Sequence, residues 1–404
     1  MKKLIYFCGA LMLGSLIFSA CSSDDPSSSN NNNKENTEKP DTTETDTVQT
    51  DTTTIEPEVN DSLVLITYSG STATVSIPED MEGVTCTSGT SSHVVLTSTN
   101  TTKELYYAIS GSSSAGSLTI NGSYKLSVLL NGVDLTSDAG AAINIQCGKR
   151  INLIMEDGTT NSLADYAAGE QKACLYTKGH LEIEGNGTLN VTGNCNHAIA
   201  SKEYLQVKKS VKAINIVKAA NDAIHVGQFF QMNGGELTID ANTVNDGIQV
   251  EFKTDDKDHP ISIDTDPDNT GGVFIKGGTL NITLANAEDA KGIKAEGDIA
   301  ISGGTLHIKA ASNGSRGIQT DGDMTISEDD NTTNITIEAT GKKCTVAEDS
   351  EDPHKCWGIK VDGDFMVNAG TLTVSKDGST IKNGIRCGSY KKNGGTVKAT
   401  IKED

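Results

Sequence analysis

The chain has 404 residues, a formal net charge of −21, 4% aromatic residues and 41 glycines. So acidic a protein makes nucleic acid an unlikely partner, and an acidic chain outside the cell points to solubility, calcium or both. Few aromatics and abundant glycine suit short strands and tight turns rather than a leucine-rich helical enzyme.

Residues 1–20 read as a lipoprotein signal peptide. Lys2 and Lys3 form a charged start, and Leu4 to Phe18 is apolar but too short to span a bilayer. Ser19-Ala20-Cys21 resembles a lipobox, with Phe18 where leucine is commoner; it makes Cys21 the lipidated residue and predicts an outer-membrane lipid anchor, exposed at the cell surface. Residues 21–58 are Ser, Asn, Thr, Asp, Glu and Pro with almost no large apolar side chain, which predicts a flexible tether. The remaining seven cysteines lack a CxxC motif, so neither a zinc site nor a complete disulfide framework is indicated. Cys174 reads as a packed thiol; Cys344 and Cys356 flank an insertion where they could pair.

Residues 59–115 alternate apolar and polar (LVLITYSG, TATVSIPED, HVVLTSTN, KELYYAIS) and predict an N-terminal β cap of antiparallel-type strands. A solenoid end needs one, because a bare strand invites edge pairing. From residue 116 to 404 a three-run unit repeats about every 24–25 residues. Its anchor recurs at Leu175, Ile199, Ile224, Ile248, Ile293, Ile318, Ile359 and Ile385, with insertions expected near 252–270 and 327–355. Apolar residues at i and i+2 mark three inward-facing runs: Ile224/Val226 and Ile248/Val250, then Leu205/Val207 and Ile299/Ile301, then Leu237/Ile239 and Leu306/Ile308. Bends such as Gly277-Gly278 and Gly303-Gly304 join them. The pattern predicts an all-β, right-handed parallel β-helix with three strands per coil. The period excludes tetratricopeptide and WD40 arrays, and the leucine-rich-repeat signature is absent.

Stacking converts each repeat position into a column. Asn196, Asn221 and Asn245 predict an asparagine ladder at a turn. The next position reads His197, Asp222, Asp246, Lys291, Arg316, Trp357 and Asn383. Asp222 above Asp246 sets two carboxylates one strand spacing apart, which is unfavourable without a cation, a basic neighbour or a shared proton. Acids also gather after the first run, at Glu251, Glu296, Asp321 and Asp362, and at Asp298, Asp323 and Asp364 two residues on. Oxygen-only ligands suit calcium, so Asp222, Asp246, Glu251, Glu296, Asp298, Asp321 and Asp362 are the expected metal residues; Asp-Gly as a plain tight turn is the competing reading. The loop Asp264-Thr265-Asp266-Pro267-Asp268-Asn269 fails as an EF-hand, lacking glycine at the sixth position and glutamate at the twelfth.

One outward column, just after the anchors, reads Tyr176, Ala200, His225, Gln249, Lys294, Gln319, Lys360 and Arg386, and the residue before each anchor is Gly, Ala or Cys. It is the expected floor for an extended glycan: Lys and Arg for uronate carboxylates, Gln and His for hydroxyls. His180, Tyr204 and Phe229 form a second column that could lie under sugar rings. Catalysis has less behind it. Arg316 near Asp321, or Lys294 near Glu296, are the imaginable lyase pairs, and Asp255-Asp256 matches no inverting-hydrolase arrangement.

The phrases AINIQCGKRINLIMEDGTTNSLAD (142–165), HAIASKEYLQVKK (197–209), NDAIHVGQFFQMNGGELTI (221–239), NDGIQVE (245–251) and DTDPDNTGGVFIKGG (264–278) resemble the bacterial carbohydrate-binding-domain lipoproteins, right-handed β-helices related in shape to pectate lyases. The resemblance covers most of residues 60–404 and is specific over 142–251. It implies binding of cell-wall polysaccharide, cellulose-like or pectin-like (polygalacturonate), with calcium in the fold and no established catalysis. Asp222, Asp246 and Glu251 lie in matching phrases. A polysaccharide lyase or hydrolase, and a structural adhesin, are the alternative expectations. The oligomeric state is not legible.

Overall fold

The repeat positions set the pairing of every strand described here. The computed structural model describes residues 62–404, apart from 241, 244, 256–258, 345–354, 377, 382 and the side chain of 380. The expected signal peptide, Cys21 and tether lie outside the described residues, as does Asp256. Among the described residues there is no helix.

A first ladder runs through Ala173–Thr177, His197–Ser201, Ile224–Val226, Ile248–Val250, Lys291–Ala295, Arg316–Thr320, Trp357–Val361 and Ile385–Cys387, each parallel to the next. A second ladder passes through Leu181–Glu184, Leu205–Val207 and Phe229–Met232 into Gly272–Leu284. A third passes through Thr188–Gly193, Ala213–Ala219 and Glu236–Ile239 into the later half of that same long strand. The three inward runs expected from the alternation are therefore three stacked ladders. Ile224, Val226, Ile248, Val250, Leu205, Val207, Leu237 and Ile239 are all buried. Each such side chain contributes roughly 1.5–3 kcal/mol by leaving water.

Glycine shapes the join between second and third ladders. Gly278 and Gly304 take positive φ (91° and 95°), and a Cβ on Gly304 would stand 2.7 Å from the Gly278 carbonyl oxygen one coil away. The register shifts at this corner while the strand continues through it.

Two expectations change in detail. Leu63–Ser69 pairs antiparallel with Thr72–Ser76, and Val84–Cys86 with His93–Ser98, as expected of residues 59–115. Yet Leu63–Ser69 is parallel to Leu105–Ser113, and His93–Ser98 to Ser117–Asn121, so parallel stacking begins before residue 116. The second insertion is also shorter than expected. Thr333–Ala339 is a regular third-ladder strand between Ile299–Ala310 and Thr371–Lys376, so the extra chain starts after Ala339. Cys344 and Cys356 are buried and free; the pairing considered for them is not formed. Cys174 is a buried free thiol, packed as expected.

Candidate functional site

The anchors bring the turn before the first ladder into register from coil to coil. Asn221 Nδ2 donates to Asn196 Oδ1 at 3.0 Å, and Asn245 Nδ2 to Asn221 Oδ1 at 3.1 Å. The asparagine column is thus a hydrogen-bonded ladder, and it holds the next residue of each coil in place.

That next residue builds a buried polar cluster. Asp222 is 1% exposed. Its Oδ1 accepts from Asn245 Nδ2 (2.8 Å) and from the Asp246 backbone N–H (3.1 Å). Its Oδ2 lies 3.0 Å from His225 Nδ1 and 3.2 Å from His197 Nδ1. The His197 nitrogen is buried and outside hydrogen-bond alignment. The two imidazole rings stack, with centroids 4.4 Å apart. Burial alone would raise the Asp222 carboxyl, but the two histidines outweigh it and hold it well below the usual carboxylate range. Asp246 is the opposite case. Burial pushes it up to about 6 against the pull of Lys291, and the Asp222 charge adds to the rise. Its Oδ1 accepts the Lys291 backbone N–H at 2.7 Å. The strain expected of stacked carboxylates is relieved by basic neighbours at Asp222 and by a proton held more tightly at Asp246.

The residues expected to hold calcium do not converge. Asp222 has its oxygens engaged by N–H donors and faces imidazole nitrogen, a poor partner for a hard cation. Glu251 accepts from Gln249 Nε2 and stands 3.7 Å from His225 Nε2. Glu296 accepts the Phe252 backbone N–H at 2.7 Å. Asp298 Oδ1 accepts the Asp323 N–H and Asp323 Oδ1 the Asp364 N–H, both at 2.8 Å. Asp362 pairs with Lys360 Nζ at 2.8 Å, and Asp321 is exposed at its turn. In the acidic column after the first ladder, Asp298 and Asp323 cap the next coil's N–H, Glu296 holds the coil before, and Glu251 and Asp362 are engaged within their own coils. In the Asp264–Asn269 loop, Asp266 Oδ2 accepts from Gln228 Nε2 at 2.7 Å and lies 3.5 Å from Lys253 Nζ. Among the described residues, His197, Asp222 and His225 are the one group of three His, Cys, Asp or Glu side chains whose donor atoms lie within 4.8 Å of each other.

The outward column is in register, but Ala200 and Gln249 in it are buried and its other members are part-exposed. Tyr176 pairs with Ala200, then His225, Gln249, Lys294, Gln319, Lys360 and Arg386 follow one per coil. Two features differ from expectation. The small residues preceding the anchors do not lie beside this column. Cys174, Ala198 and Ala223 are buried, and a Cβ on Gly317 would meet Ile337 Cγ2 at 2.5 Å and one on Gly358 would meet Val374 Cγ1 at 2.1 Å. Smallness there makes room for third-ladder side chains. The cations are also partly neutralised: Lys360 by Asp362, and Arg386 Nε by Asp404 at 2.7 Å. The lyase pairing of Arg316 with Asp321 is not formed. Arg316 Nη1 binds Asp289 at 2.8 Å, which Lys291 Nζ also meets at 2.9 Å.

The aromatic column exists, but its faces are taken. His180 and Tyr204 stack at 4.2 Å and 6°, and Tyr204 and Phe229 at 4.6 Å and 18°. Phe229 is buried, and Phe274 meets its ring at 6.0 Å. Both faces of Tyr204 are covered and Phe229 is buried, so the column packs the coils together rather than offering a run of open ring faces to a sugar. Tyr204 Oη donates to Glu182, and His180 pairs with Glu203 at 2.9 Å.

Sequence reasoning missed a groove of about 650 Å³ where the insertion after Val250 folds back. Phe252, Pro260, Ile263 and Phe274 line it on the apolar side, Glu296 and Asp298 on the polar side. Ile263 is 55% exposed. The alternation that marks strands carries no signal for an irregular insertion, although Phe252 and Ile263 are unusual in so polar a stretch.

A family model described as carbohydrate-binding domain-containing protein matches residues 90–404. A carbohydrate-binding domain-containing protein of Acetivibrio thermocellus is 28% identical over 116 residues, 26% of this chain and 41% of the relative. The match thus spans well under half of that relative's length. A solved structure of the polysaccharide lyase-like protein from C. thermocellum, a gadolinium derivative, aligns with TM-score 0.47 and 21% identity over 67% of this chain and 96% of that one.

Proposed function

This chain belongs to the family of carbohydrate-binding domain-containing proteins, and from that premise we propose that it binds polysaccharide without cleaving it, along the outward face of the first ladder. The carrying observation is the single-file register of Tyr176, His225, Gln249, Lys294, Gln319, Lys360 and Arg386. At about 4.8 Å per rung the eight coils from Tyr176 to Arg386, the Ala200 coil included, span roughly 34 Å. Gln249 beside Glu251, and Lys360 beside Asp362, set a donor next to an acceptor. A sugar hydroxyl both donates and accepts, so such pairs suit it well. Neutralised cations on a chain of charge −21 suit a polyuronate poorly. The reading therefore favours a neutral, cellulose-like glycan over a pectin-like one.

Three arginines occur in the chain, and each is engaged by an acid: Arg150 with Glu104, Arg316 with Asp289, Arg386 with Asp404. That supports binding over β-elimination, which wants a basic residue free to meet substrate. In this proposal the stacked ladders wind as a right-handed β-helix capped by residues 59–115, and Cys21 anchors it to the outer membrane at the cell surface. Calcium in the fold is carried by the family resemblance; the nominated acids form no oxygen cage, and no step of binding is assigned to it.

The test sets retention on insoluble cellulose beside affinity electrophoresis in polygalacturonate and an ultraviolet assay for unsaturated products. Cellulose retention without unsaturated product supports the proposal. Product formation would make the protein a lyase, and retention on neither glycan would favour an adhesin.

A further inference from the structure

The coils carrying Asn196 and Asn221 hold a donor set that polysaccharide binding does not use. His197 Nδ1 and His225 Nδ1 lie 3.2 and 3.0 Å from the same oxygen of Asp222. Neighbouring ligands around a tetrahedral ion, with bonds of about 2.0–2.1 Å, are about 3.3 Å apart. His197 Nδ1 is buried and, although within ion-pair range of Asp222, makes no aligned hydrogen bond, on a residue that is 9% exposed and faces the cluster. An orphaned buried nitrogen costs desolvation energy unless something occupies its lone pair. Glu251 Oε2 stands 3.7 Å from His225 Nε2, the far nitrogen of that ring. That is ion-pair range, beyond hydrogen-bond length, and closing it would put a carboxylate behind a ligating imidazole, where it fixes the tautomer and raises basicity. Asn245 and the Asp246 N–H hold the other oxygen of Asp222, so the carboxylate is aimed before any ion arrives.

We propose that His197, Asp222 and His225 bind a divalent transition ion, zinc foremost. Two imidazoles and a carboxylate are borderline donors that suit zinc and its first-row neighbours and disfavour calcium or magnesium, which take oxygen. Three protein ligands leave a position open to solvent on the side of His225, whose side chain is part-exposed. The same repeat position holds Lys291 and Arg316 further along, both tied to Asp289, so the site occurs once in the stack described here.

The test uses the whole protein, made without a histidine tag, stripped with chelator and titrated with cobalt(II) and zinc(II). The proposal expects one equivalent of cobalt bound with the strong visible absorption of a low-coordinate site, displaced by zinc and unmoved by a hundredfold excess of calcium. Zinc should also raise the melting temperature. His225→Gln is expected to weaken cobalt uptake at least tenfold and to remove the zinc-induced shift. Its melting temperature without metal should fall, because His225 is one of the two imidazoles that hold the Asp222 charge, so the zinc-induced shift is read against each variant's own metal-free value. His197→Gln is the second variant and should act in the same direction. Absence of stoichiometric uptake by the parent, full uptake by both variants, or displacement of cobalt by calcium would each overturn the proposal. No glycan enters these measurements, so they stand or fall apart from the polysaccharide reading.

Discussion

The coils built on Ile224 and Ile248 and those built on Ile293, Ile318 and Ile359 share a backbone but spend their acidic residues differently. In the first pair the acids sit before the strand and are buried, Asp222 between two histidines and Asp246 against Lys291. In the later coils that position is basic or aromatic, and the acids move to the turn after the strand. There Asp298 and Asp323 each cap the next coil's N–H from an exposed position. The turn carboxylates of the later coils, Asp298 and Asp323, are accounted for by backbone N–H groups that need an acceptor. Asp222 and Asp246 also accept the next coil's N–H, but the second oxygen of Asp222 meets two imidazoles, which N–H capping does not account for. The departure from the repeat is where chemistry is to be sought.

The largest expected effect falls on the first region. Asp222→Asn leaves an amide N–H facing one or both imidazole nitrogens and removes a buried charge from its partners. A loss of ~3–5 kcal/mol is expected in urea unfolding at pH 7.5. A loss under ~1 kcal/mol would mean the cluster is not held together by that charge.

Asp246 should respond with the opposite sign. Its folded pKa of about 6 lies above the ~3.9 of an unfolded aspartate. Its neutral form therefore contributes stability fully below about pH 4, and that contribution is lost as pH rises through 6. Asp246→Asn keeps an acceptor for the Lys291 N–H and cannot ionise. It should be ~2–3 kcal/mol more stable than the parent at pH 7.5 and no more stable at pH 3.5. Equal stability at both pH values would break the contrast between the two stacked acids. Asp222 runs the other way: its depressed pKa contributes stability above about pH 4 that is lost on further acidification.

The smallest effect belongs to the turn caps. Asp323→Ala removes one acceptor at an exposed turn and should cost ~1 kcal/mol in chemical denaturation. A loss as large as that of Asp222→Asn would erase the difference between the regions.

Much of this architecture is legible without coordinates, because burial on one side of a strand forces period-two alternation and stacking forces a constant repeat. The anchors, the three inward runs, the asparagine ladder, the outward column and the stack of His180, Tyr204 and Phe229 all follow from those two constraints. What lies across the coil does not. The glycines and alanines before each anchor look like a floor beside the long polar side chains, yet Ile337 and Val374 occupy that space from another ladder. Repeat spacing says that Asp222 stands above Asp246, but not that His197 reaches it from the coil before and His225 from the strand after. The pairing of Arg316 with Asp289 rather than Asp321 is hidden for the same reason: a side chain's partner depends on which way the turn directs it.

The polysaccharide reading rests on the outward row of the first ladder, and the most direct measurement is depletion binding to insoluble cellulose by the parent and by Lys294→Ala combined with Lys360→Ala. Neither residue is in the core, so the variant should melt with the parent, and losing two hydrogen-bonding side chains at ~1 kcal/mol each should weaken retention roughly tenfold or more. Retention of the variant equal to the parent would contradict the account and move the glycan off this face.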